Sequence, residues 1–259
     1  MIRRLLMPLL PLLPLLLTGC VTSSNSPFQG DNVSMKQASQ DNVTLGIAYL
    51  KQGNRDAAMQ KIQKAITQDP DNARAYTAEA LIYNADDEPD KAKDAYKIAL
   101  RKAPDDPEIQ NNYAVFLCQQ DKPKDSLEYF MKAAANPHYT TPDGAYVNAG
   151  LCASRIPDLA LAEQYFRKAL AINPNLVEPL FQLAQLSYNQ KKYLSARAFI
   201  ERYDTLVPAS RPDVLLLAVN NERALGDRQA AADYAKQLLK LYPASEQAQQ
   251  LDQQAAPHG

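Results

Sequence analysis

The sequence predicts an all-α protein built as a solenoid of stacked helix pairs. The chain has only 8 Gly but 18 Pro and no Trp, and its long stretches of Ala, Leu, Gln, Lys and Tyr favour helices that prolines interrupt. The same pattern of Ala, Tyr and Pro recurs about every 34 residues. Because 46% of the residues are hydrophobic and 22% are charged, the composition is that of a folded chain.

The charge balance excludes one class of partner. There are 28 Lys and Arg against 29 Asp and Glu, for a net charge of −1, and no basic block interrupts this balance. Nucleic acid requires a basic surface that neutralises its phosphates. We therefore expect no nucleic-acid partner.

Residues 1–19 have the features of a signal peptide. Arg3 and Arg4 precede an apolar run from Leu5 to Leu17, which three prolines interrupt. A helix that spans a bilayer needs roughly 20 apolar residues, and prolines disrupt its hydrogen bonds. A cleaved signal therefore fits this segment better than a permanent transmembrane helix.

The segment from Leu17 to Cys20 (Leu-Thr-Gly-Cys) resembles a bacterial lipobox. That resemblance implies lipidation of Cys20, which becomes the N-terminus after cleavage and anchors the chain through several acyl chains. The alternative is an ordinary secretory signal with a chance cysteine. Val21 follows where lipoproteins kept at the inner membrane commonly carry Asp, so the resemblance implies an outer-membrane anchor facing the periplasm. Residues 20–38 lack apolar periodicity and are predicted to form a flexible tether.

From position 39 onward the chain repeats itself. Small residues recur where two helices approach closely, aromatic residues fill the remaining space, and prolines end the second helix of most units. Each unit is predicted to be two helices joined by a short turn, at Gly53, Asp87, Asp121, Pro157, Lys191 and Gly226 in turn. The six units are 39–72, 73–106, 107–142, 143–176, 177–211 and 212–245.

This pattern resembles the tetratricopeptide repeat. The resemblance implies six helix-turn-helix repeats in a right-handed superhelix, with a groove lined by the first helix of each repeat. The alternative, a set of unrelated helical hairpins, does not account for the shared register. Residues 246–259 are predicted to be a polar capping helix and tail, since the end of an array needs a polar outer face.

Two cysteines remain after Cys20. Cys118 and Cys152 lie on the first helices of adjacent repeats, and a signal peptide directs the chain to a compartment where disulfides persist. We therefore predict that they pair; the alternative is two buried free thiols. Next to them, residues 136–144 add two residues to the period, either as a contact surface or as an ordinary loop insertion.

The sequence provides no catalytic site that we can identify. The metalloprotease, serine-hydrolase, P-loop and dinucleotide motifs are all missing from it. Its 2 His lie in the 136–144 loop and at the tail, and its acidic pairs lie at turns, where carboxylates cap helices. We predict no enzyme, no cofactor, no metal site and no small-molecule substrate.

Binding of a protein partner is the function that remains after catalysis is set aside. The positions that line the groove in tetratricopeptide repeats mix apolar and amide side chains here, whereas solvated helix faces are normally charged; this mixture favours a partner segment buried in the groove. The alternative is that neighbouring helices already cover these side chains. The candidate groove residues are Val43, Ile47, Leu50, Leu81, Asn84, Asn111, Val115, Val147, Leu151, Phe181, Gln185, Tyr188, Leu216 and Asn220.

The lipobox, the tether, the six repeats and the stretches 111–118 and 239–243 together resemble the type IV pilus biogenesis/stability lipoproteins over the full length. That resemblance implies a pilotin: an outer-membrane adaptor that binds subunits of the pilus secretin and promotes their localisation, multimerisation and stability. A lipoprotein adaptor for peptidoglycan-modifying or other envelope-assembly enzymes is the alternative with the same anchor and repeats. An envelope hydrolase is a third candidate, which lacks recognisable catalytic residues.

Overall fold

The computed structural model describes residues 29–157 and 159–255, and all regular secondary structure in this part of the chain is α-helical. Residues 1–28, which include the predicted signal peptide and Cys20, lie outside it, as do 158 and 256–259. The helices are α1 (Gln29–Lys51), α2 (Arg55–Gln68), α3 (Ala73–Ala85), α4 (Pro89–Lys102), α5 (Pro107–Gln119), α6 (Pro123–Ala135), α7 (Pro142–Ala153), α8 (Leu159–Ile172), α9 (Val177–Asn189), α10 (Tyr193–Leu206), α11 (Pro212–Leu225), α12 (Arg228–Leu241) and α13 (Glu246–Ala255).

Consecutive helices pack as six pairs, and each pair packs against the next along the chain. The first helices α3, α5, α9 and α11 start at the predicted repeat positions 73, 107, 177 and 212. Helix α7 starts at Pro142, one residue before the predicted boundary. The predicted all-α repeat architecture is confirmed, and the first helices α1, α3, α5, α7, α9 and α11 share a surface that we call the first-helix face.

The N-terminal end differs from the prediction. Helix α1 begins at Gln29, so positions 29–38 of the predicted tether are helical. No Pro or Gly lies between Asp31 and Ser39, and a helix that has already formed extends at little cost where no breaker intervenes. Helix α1 is held against α2 at Ser39. This residue is buried, and its hydroxyl donates a hydrogen bond to the Ala65 carbonyl at 2.8 Å.

Five of the six turns within repeats contain a left-handed residue at the position predicted for the turn. The backbone φ is positive at Gly53, Asp87, Asp121, Lys191 and Gly226, the conformation that commonly ends a helix. Pro157 cannot adopt it, because its ring fixes φ near −65°. Repeat four therefore has a longer connection, from the end of α7 at Ala153 to the start of α8 at Leu159.

Small residues allow the two helices of a repeat to approach closely. A Cβ atom added at Gly150 would lie 2.5 Å from the ring of Phe166, and one added at Gly46 would lie 2.6 Å from the Ile62 side chain. The same register is occupied by Ala80, Ala114 and Ala184, all buried. Large side chains thus fill the space left by small ones, as the repeat pattern predicts.

Helix α13 closes the end of the array. Its Ala248 and Leu251 are buried against Leu215, Val219 and Leu238 of the sixth repeat, which confirms the predicted capping helix. Within the described part of the chain, none of the helices combines the length and apolar character needed to cross a bilayer.

Candidate functional site

The predicted disulfide is present and joins repeats three and four. Cys118 on α5 and Cys152 on α7 are bonded, with their Cα atoms 5.9 Å apart, inside the usual range for such bridges. Arg155 in the following turn donates to the carbonyl oxygen of Cys118 and forms an ion pair with Asp121 in the turn of repeat three. The two repeats are therefore linked both covalently and by a cation that bridges their turns.

A groove of about 550 Å³ runs across the first helices of repeats one to three, and we call it the N-terminal groove. Its floor is apolar and includes Val43, Ile47, Leu81 and Ile109. Its rim is polar. The rim residues are Gln37, Gln40, Asp41, Thr44, Asn72, Arg74, Glu108 and Asn112, and the buried Thr77 also lines the groove.

Charges of both signs lie on the rim of the N-terminal groove and partly neutralise each other. The guanidinium of Arg74 lies 3.4 Å from the carboxylate of Glu108 and 3.9 Å from that of Asp106. The carboxylate of Asp41 accepts a hydrogen bond from Gln37 at 3.0 Å. Because no single sign dominates, we expect this groove to select a partner by apolar contact and hydrogen bonding rather than by net charge.

A second, smaller cavity of about 210 Å³ lies beside the disulfide, between α5 and α7, and we call it the disulfide pit. Val115 and Leu151 form apolar walls together with Phe130 and the two cysteines. Leu151 is exposed, with 39% of its surface accessible. Gln119, Asn148 and Arg155 supply the polar edge of the pit.

The predicted groove residues divide between these two cavities and their surroundings. Val43, Ile47 and Leu81 line the N-terminal groove, while Val115 and Leu151 line the disulfide pit. The remaining first-helix candidates of repeats one to four lie outside both cavities. Of these, Leu50 packs against the core of the first two repeats, Asn84 and Asn111 form hydrogen bonds across repeats, and Val147 is half-buried.

In repeats five and six, the predicted positions are half-buried and contact neighbouring side chains. Phe181 packs among Leu180, Tyr203 and Val214 and lies under the guanidinium of Arg211, 4.8 Å from the ring centroid. Tyr188 contacts the ring of Tyr193 at a centroid distance of 5.7 Å. The same holds for three further positions. Gln185 donates to Asn189, Leu216 packs against the core of the sixth repeat, and Asn220 is half-buried.

The predicted 136–144 loop is shorter in the structure, because residues 142–144 already belong to α7, and residues 136–141 pack back onto the preceding repeat. Asn136 donates to the carbonyl oxygen of Asp105 at 2.8 Å. His138, Tyr139 and Thr140 border a cavity of about 260 Å³ that shares Arg74 and Glu108 with the N-terminal groove. The inserted residues therefore extend the groove's polar rim.

The titrating groups with altered pKa values do not converge on either cavity. Burial raises the pKa of the Glu79 carboxyl and that of the Tyr96 hydroxyl, but neither side chain lines the N-terminal groove or the disulfide pit. Among the described residues, no three His, Cys, Asp or Glu side chains are grouped so that they could hold a metal ion. The two cavities are suited to binding a chain segment.

Sequence reasoning missed a cluster of charges around the buried Glu222 at the junction of repeats five and six. The guanidinium of Arg197 on α10 binds the carboxylate of Glu222 on α11 through two nitrogens, and it lies 3.2 Å from Asp227. Glu222 is 2% exposed. The sequence did contain a signal for this cluster. Glu222 occupies the repeat position at which repeats three and four carry Leu117 and Ala153, and both of those residues are buried.

Comparisons with known proteins place the chain in a family. Tetratricopeptide repeat models match residues 43–107, 78–140, 143–176 and 213–245. The type IV pilus assembly protein PilF of Pseudomonas aeruginosa is 31% identical over 232 residues, which cover 88% of this chain and 90% of PilF.

Two solved structures share the fold and more than a quarter of the aligned residues. The crystal structure of PilW, a widely conserved type IV pilus biogenesis factor, aligns with a TM-score of 0.75 and 34% identity, covering 83% of this chain and 98% of PilW. The structure of P. aeruginosa PilF aligns with a TM-score of 0.76 and 28% identity, covering 85% and 99%. The likeness thus extends over nearly the whole of both relatives.

Proposed function

The chain belongs to the family of type IV pilus biogenesis tetratricopeptide repeat proteins that includes PilF and PilW, and from this membership we propose that it is a pilotin. In this proposal it is a lipoprotein anchored in the outer membrane through Cys20 and facing the periplasm. It binds subunits of the pilus secretin and promotes their localisation, multimerisation and stability.

The observation that carries the proposal is the N-terminal groove. An apolar floor formed by Val43, Ile47 and Leu81 under a polar rim fits a segment of another protein chain that buries apolar side chains and satisfies its polar groups at the edge. Further along the array, the half-buried Phe181 and Tyr188 pack against neighbouring side chains. We therefore assign secretin binding to repeats one to three.

The position of the groove close to the anchor supplies the mechanism. The nine residue steps from Cys20 to Gln29 can span at most about 30 Å, and α1 rises about 1.5 Å per residue, so Val43 lies within about 50 Å of the anchored cysteine. A secretin subunit held in the groove stays close to the membrane. Its insertion and its encounter with further subunits then proceed at a raised effective concentration.

The first test is capture of secretin from outer-membrane extracts, scored together with the heat-stable secretin multimer in cells that lack this protein. We expect secretin to co-purify with the lipidated chain and the multimer to be lost in the deletion strain. An intact multimer, with peptidoglycan-modifying enzymes captured instead, would contradict the pilotin role and favour the adaptor alternative.

A matched pair of variants tests the groove. Leu81→Glu places a charge on the groove floor and should lower secretin capture at least tenfold, because an unpaired charge is costly to bury at an interface. Leu194→Glu places the same charge on α10, where Leu194 is 71% exposed, and should leave capture unchanged. Circular dichroism must show that both variants are folded; equal capture by the two would refute the assignment to this groove.

A further inference from the structure

The disulfide pit opens next to the bond between Cys118 and Cys152, and both cysteines line it. We propose that this bond is a site of covalent modification, at which an incoming cysteine thiolate attacks the sulfur of Cys118 and forms a mixed disulfide with it, while Cys152 is released as a thiolate. The co-reactant is a thiol, carried by a small peptide or by a protein. The inference goes beyond the proposed function and does not depend on the identity of the pilus partner.

The two sulfur atoms differ in their access to a reagent. Cys118 on α5 is half-buried, whereas Cys152 on α7 is only 1% exposed. Thiol–disulfide exchange requires a thiolate to reach one of the two sulfur atoms, and the other sulfur then leaves. The attack is therefore expected at Cys118 and the departure at Cys152.

A cation lies beside the sulfur that is attacked. The Nη1 of Arg155 is 3.9 Å from Sγ of Cys118, and 46% of the Arg155 side chain is accessible. A guanidinium at this distance attracts an approaching thiolate, because a neighbouring cation stabilises the thiolate form. The same guanidinium binds the carboxylate of Asp121, which offsets part of its charge. The rate of attack should therefore depend on Arg155 and Asp121 in opposite directions.

A hydroxyl is placed to stabilise the sulfur that leaves. The Oγ of Ser126 lies 3.2 Å from Sγ of Cys152. A sulfur in a disulfide carries no hydrogen, so the hydroxyl is the donor. Ser126 is fully buried, and a buried charge is costly without a hydrogen-bond partner. Because hydrogen bonds to ionised acceptors are stronger than those to neutral ones, this bond strengthens as negative charge develops on Cys152.

The exchange balances without a further oxidant or reductant. The incoming thiolate sulfur forms a bond with Sγ of Cys118, the bond between Cys118 and Cys152 breaks, and its electron pair stays on Sγ of Cys152. The incoming sulfur is oxidised and the sulfur of Cys152 is reduced. The Cα atoms of the two cysteines are 5.9 Å apart, so the Cys152 thiolate remains within reach of Cys118 and can expel the added group by the reverse step. The modification is therefore reversible.

The first experiment maps the attack on the oxidised mature chain. The protein is incubated with reduced glutathione at neutral pH, quenched with N-ethylmaleimide and digested without reductant for mass spectrometry. We expect glutathione on Cys118 and the alkyl group on Cys152 in the same molecules. A parallel incubation with a thioredoxin variant that keeps only its attacking cysteine tests a protein thiol, and reaction with only one of the two probes identifies the source of the thiol. Glutathione on Cys152, or no reaction with either probe, would overturn the proposal.

The dependence on denaturant separates exchange in the folded chain from exchange after unfolding. A bond that reacts in the native pit should be modified at a rate that is proportional to the thiol concentration and constant in urea below the unfolding transition. Urea is used because it does not screen the charge of Arg155. A rate that rises with urea in step with the unfolding equilibrium would show that the bond reacts only in the unfolded chain, and would also overturn the proposal.

Three variants test the assigned roles by the direction of their effect. Arg155→Met should slow the attack about threefold and Asp121→Asn should speed it up about twofold, because exposed charges interact weakly. Ser126→Ala should slow the attack at least fivefold, since hydrogen bonds to charged groups contribute more than neutral ones. Asparagine tolerates the left-handed backbone of position 121. Arg101→Met, on an exposed position of α4, is the matched control and should react as the parent does.

The direction of these effects excludes a purely structural explanation. Variants that only loosened the junction of repeats three and four would expose the disulfide and accelerate its reaction. Faster reaction in Arg155→Met and Ser126→Ala would therefore refute the assigned roles. The two proposals also fail separately: modification of Cys118 in a chain that captures no secretin would contradict only the pilotin role, and secretin capture by a chain that reacts with neither thiol would contradict only the exchange site.

Discussion

The junction between repeats three and four and the junction between repeats five and six are both reinforced, but by opposite means. At the first, a covalent bond joins α5 to α7, and the accompanying ion pair of Arg155 and Asp121 is largely exposed. At the second, the contact is an ion pair between Arg197 and Glu222, whose carboxylate is 2% exposed. A covalent link depends on an oxidising compartment, whereas a buried ion pair depends on keeping both of its partners.

The difference also shows in the turns. Repeat six uses Gly226 with a φ of 79° and follows it with Asp227, whose carboxylate pairs with Arg197. Repeat four has Pro157 at the corresponding place, and its connection is longer. The disulfide therefore lies next to the within-repeat turn that has Pro157 at the position where the other five turns carry a left-handed residue, and it restrains the junction where the repeat geometry is least regular.

Reduction of the disulfide should have the largest effect. Closing a loop with a sequence separation of 34 stabilises by about 3–4 kcal/mol in the chain-entropy model. We expect reduction to lower the guanidinium midpoint and to raise hydrogen exchange in α5–α8, with much smaller changes in α11–α13. Repeat arrays can unfold in parts, so exchange measured segment by segment is the decisive readout.

The matched control is the Cys118→Ala, Cys152→Ala variant, which should be insensitive to reductant. Mass spectrometry of the unreduced parent protein should find one pair of peptides cross-linked through Cys118 and Cys152. Two thiols open to alkylation, or exchange that rises equally in all repeats, would contradict the view that this junction is held by its disulfide.

Breaking the buried ion pair should come next in size. Arg197→Met leaves the buried Glu222 carboxylate without its arginine, while the Asn221 amide still donates to it at 3.2 Å. It should lower the free energy of unfolding by about 2–4 kcal/mol, since an uncompensated buried charge is costly. The equivalent change at the other junction, Arg155→Met, removes an exposed pair and should cost less than about 1 kcal/mol. Chemical denaturation of the two variants measures this contrast directly.

A compensating variant distinguishes charge from packing. Adding Glu222→Leu to Arg197→Met removes the orphaned carboxylate and should recover most of the lost stability, because buried ion pairs are often replaceable by apolar residues. A double variant as unstable as the single one would show that Arg197 contributes through packing of its aliphatic stem instead.

The repeat frame could be predicted from the sequence because it depends on local patterns. Ala58, Ala92 and Ala162 are all fully buried, and their spacing indicates where two helices pack closely. The turn residues indicate where the helices end. The disulfide followed from that frame together with the predicted signal peptide, since Cys118 and Cys152 occupy adjacent first helices and the signal peptide implies a compartment where disulfides persist.

The remaining features depend on contacts between positions far apart in the chain. The pairing of Arg197 with Glu222 and Asp227 requires the relative rotation of α10 and α11, which no local pattern encodes. The groove was predicted from repeat positions alone, and these do not reveal that the ring of Phe181 contacts Arg211 while Leu151 is exposed. The predicted start of the first helix was wrong, because low apolar periodicity does not prevent an existing helix from extending.

The turns give the smallest predicted effect. Lys191 adopts a φ of 60°, which glycine tolerates better than any residue with a Cβ atom. Lys191→Gly removes that strain but also makes the unfolded chain more flexible, so the net gain should be about 0.5 kcal/mol. Gly226→Ala, at a φ of 79°, should instead cost about 1 kcal/mol. Thermal and chemical unfolding of the two variants should therefore shift in opposite directions; a loss of stability in Lys191→Gly would mean that the lysine side chain contributes more to the repeat-five turn than its backbone conformation costs.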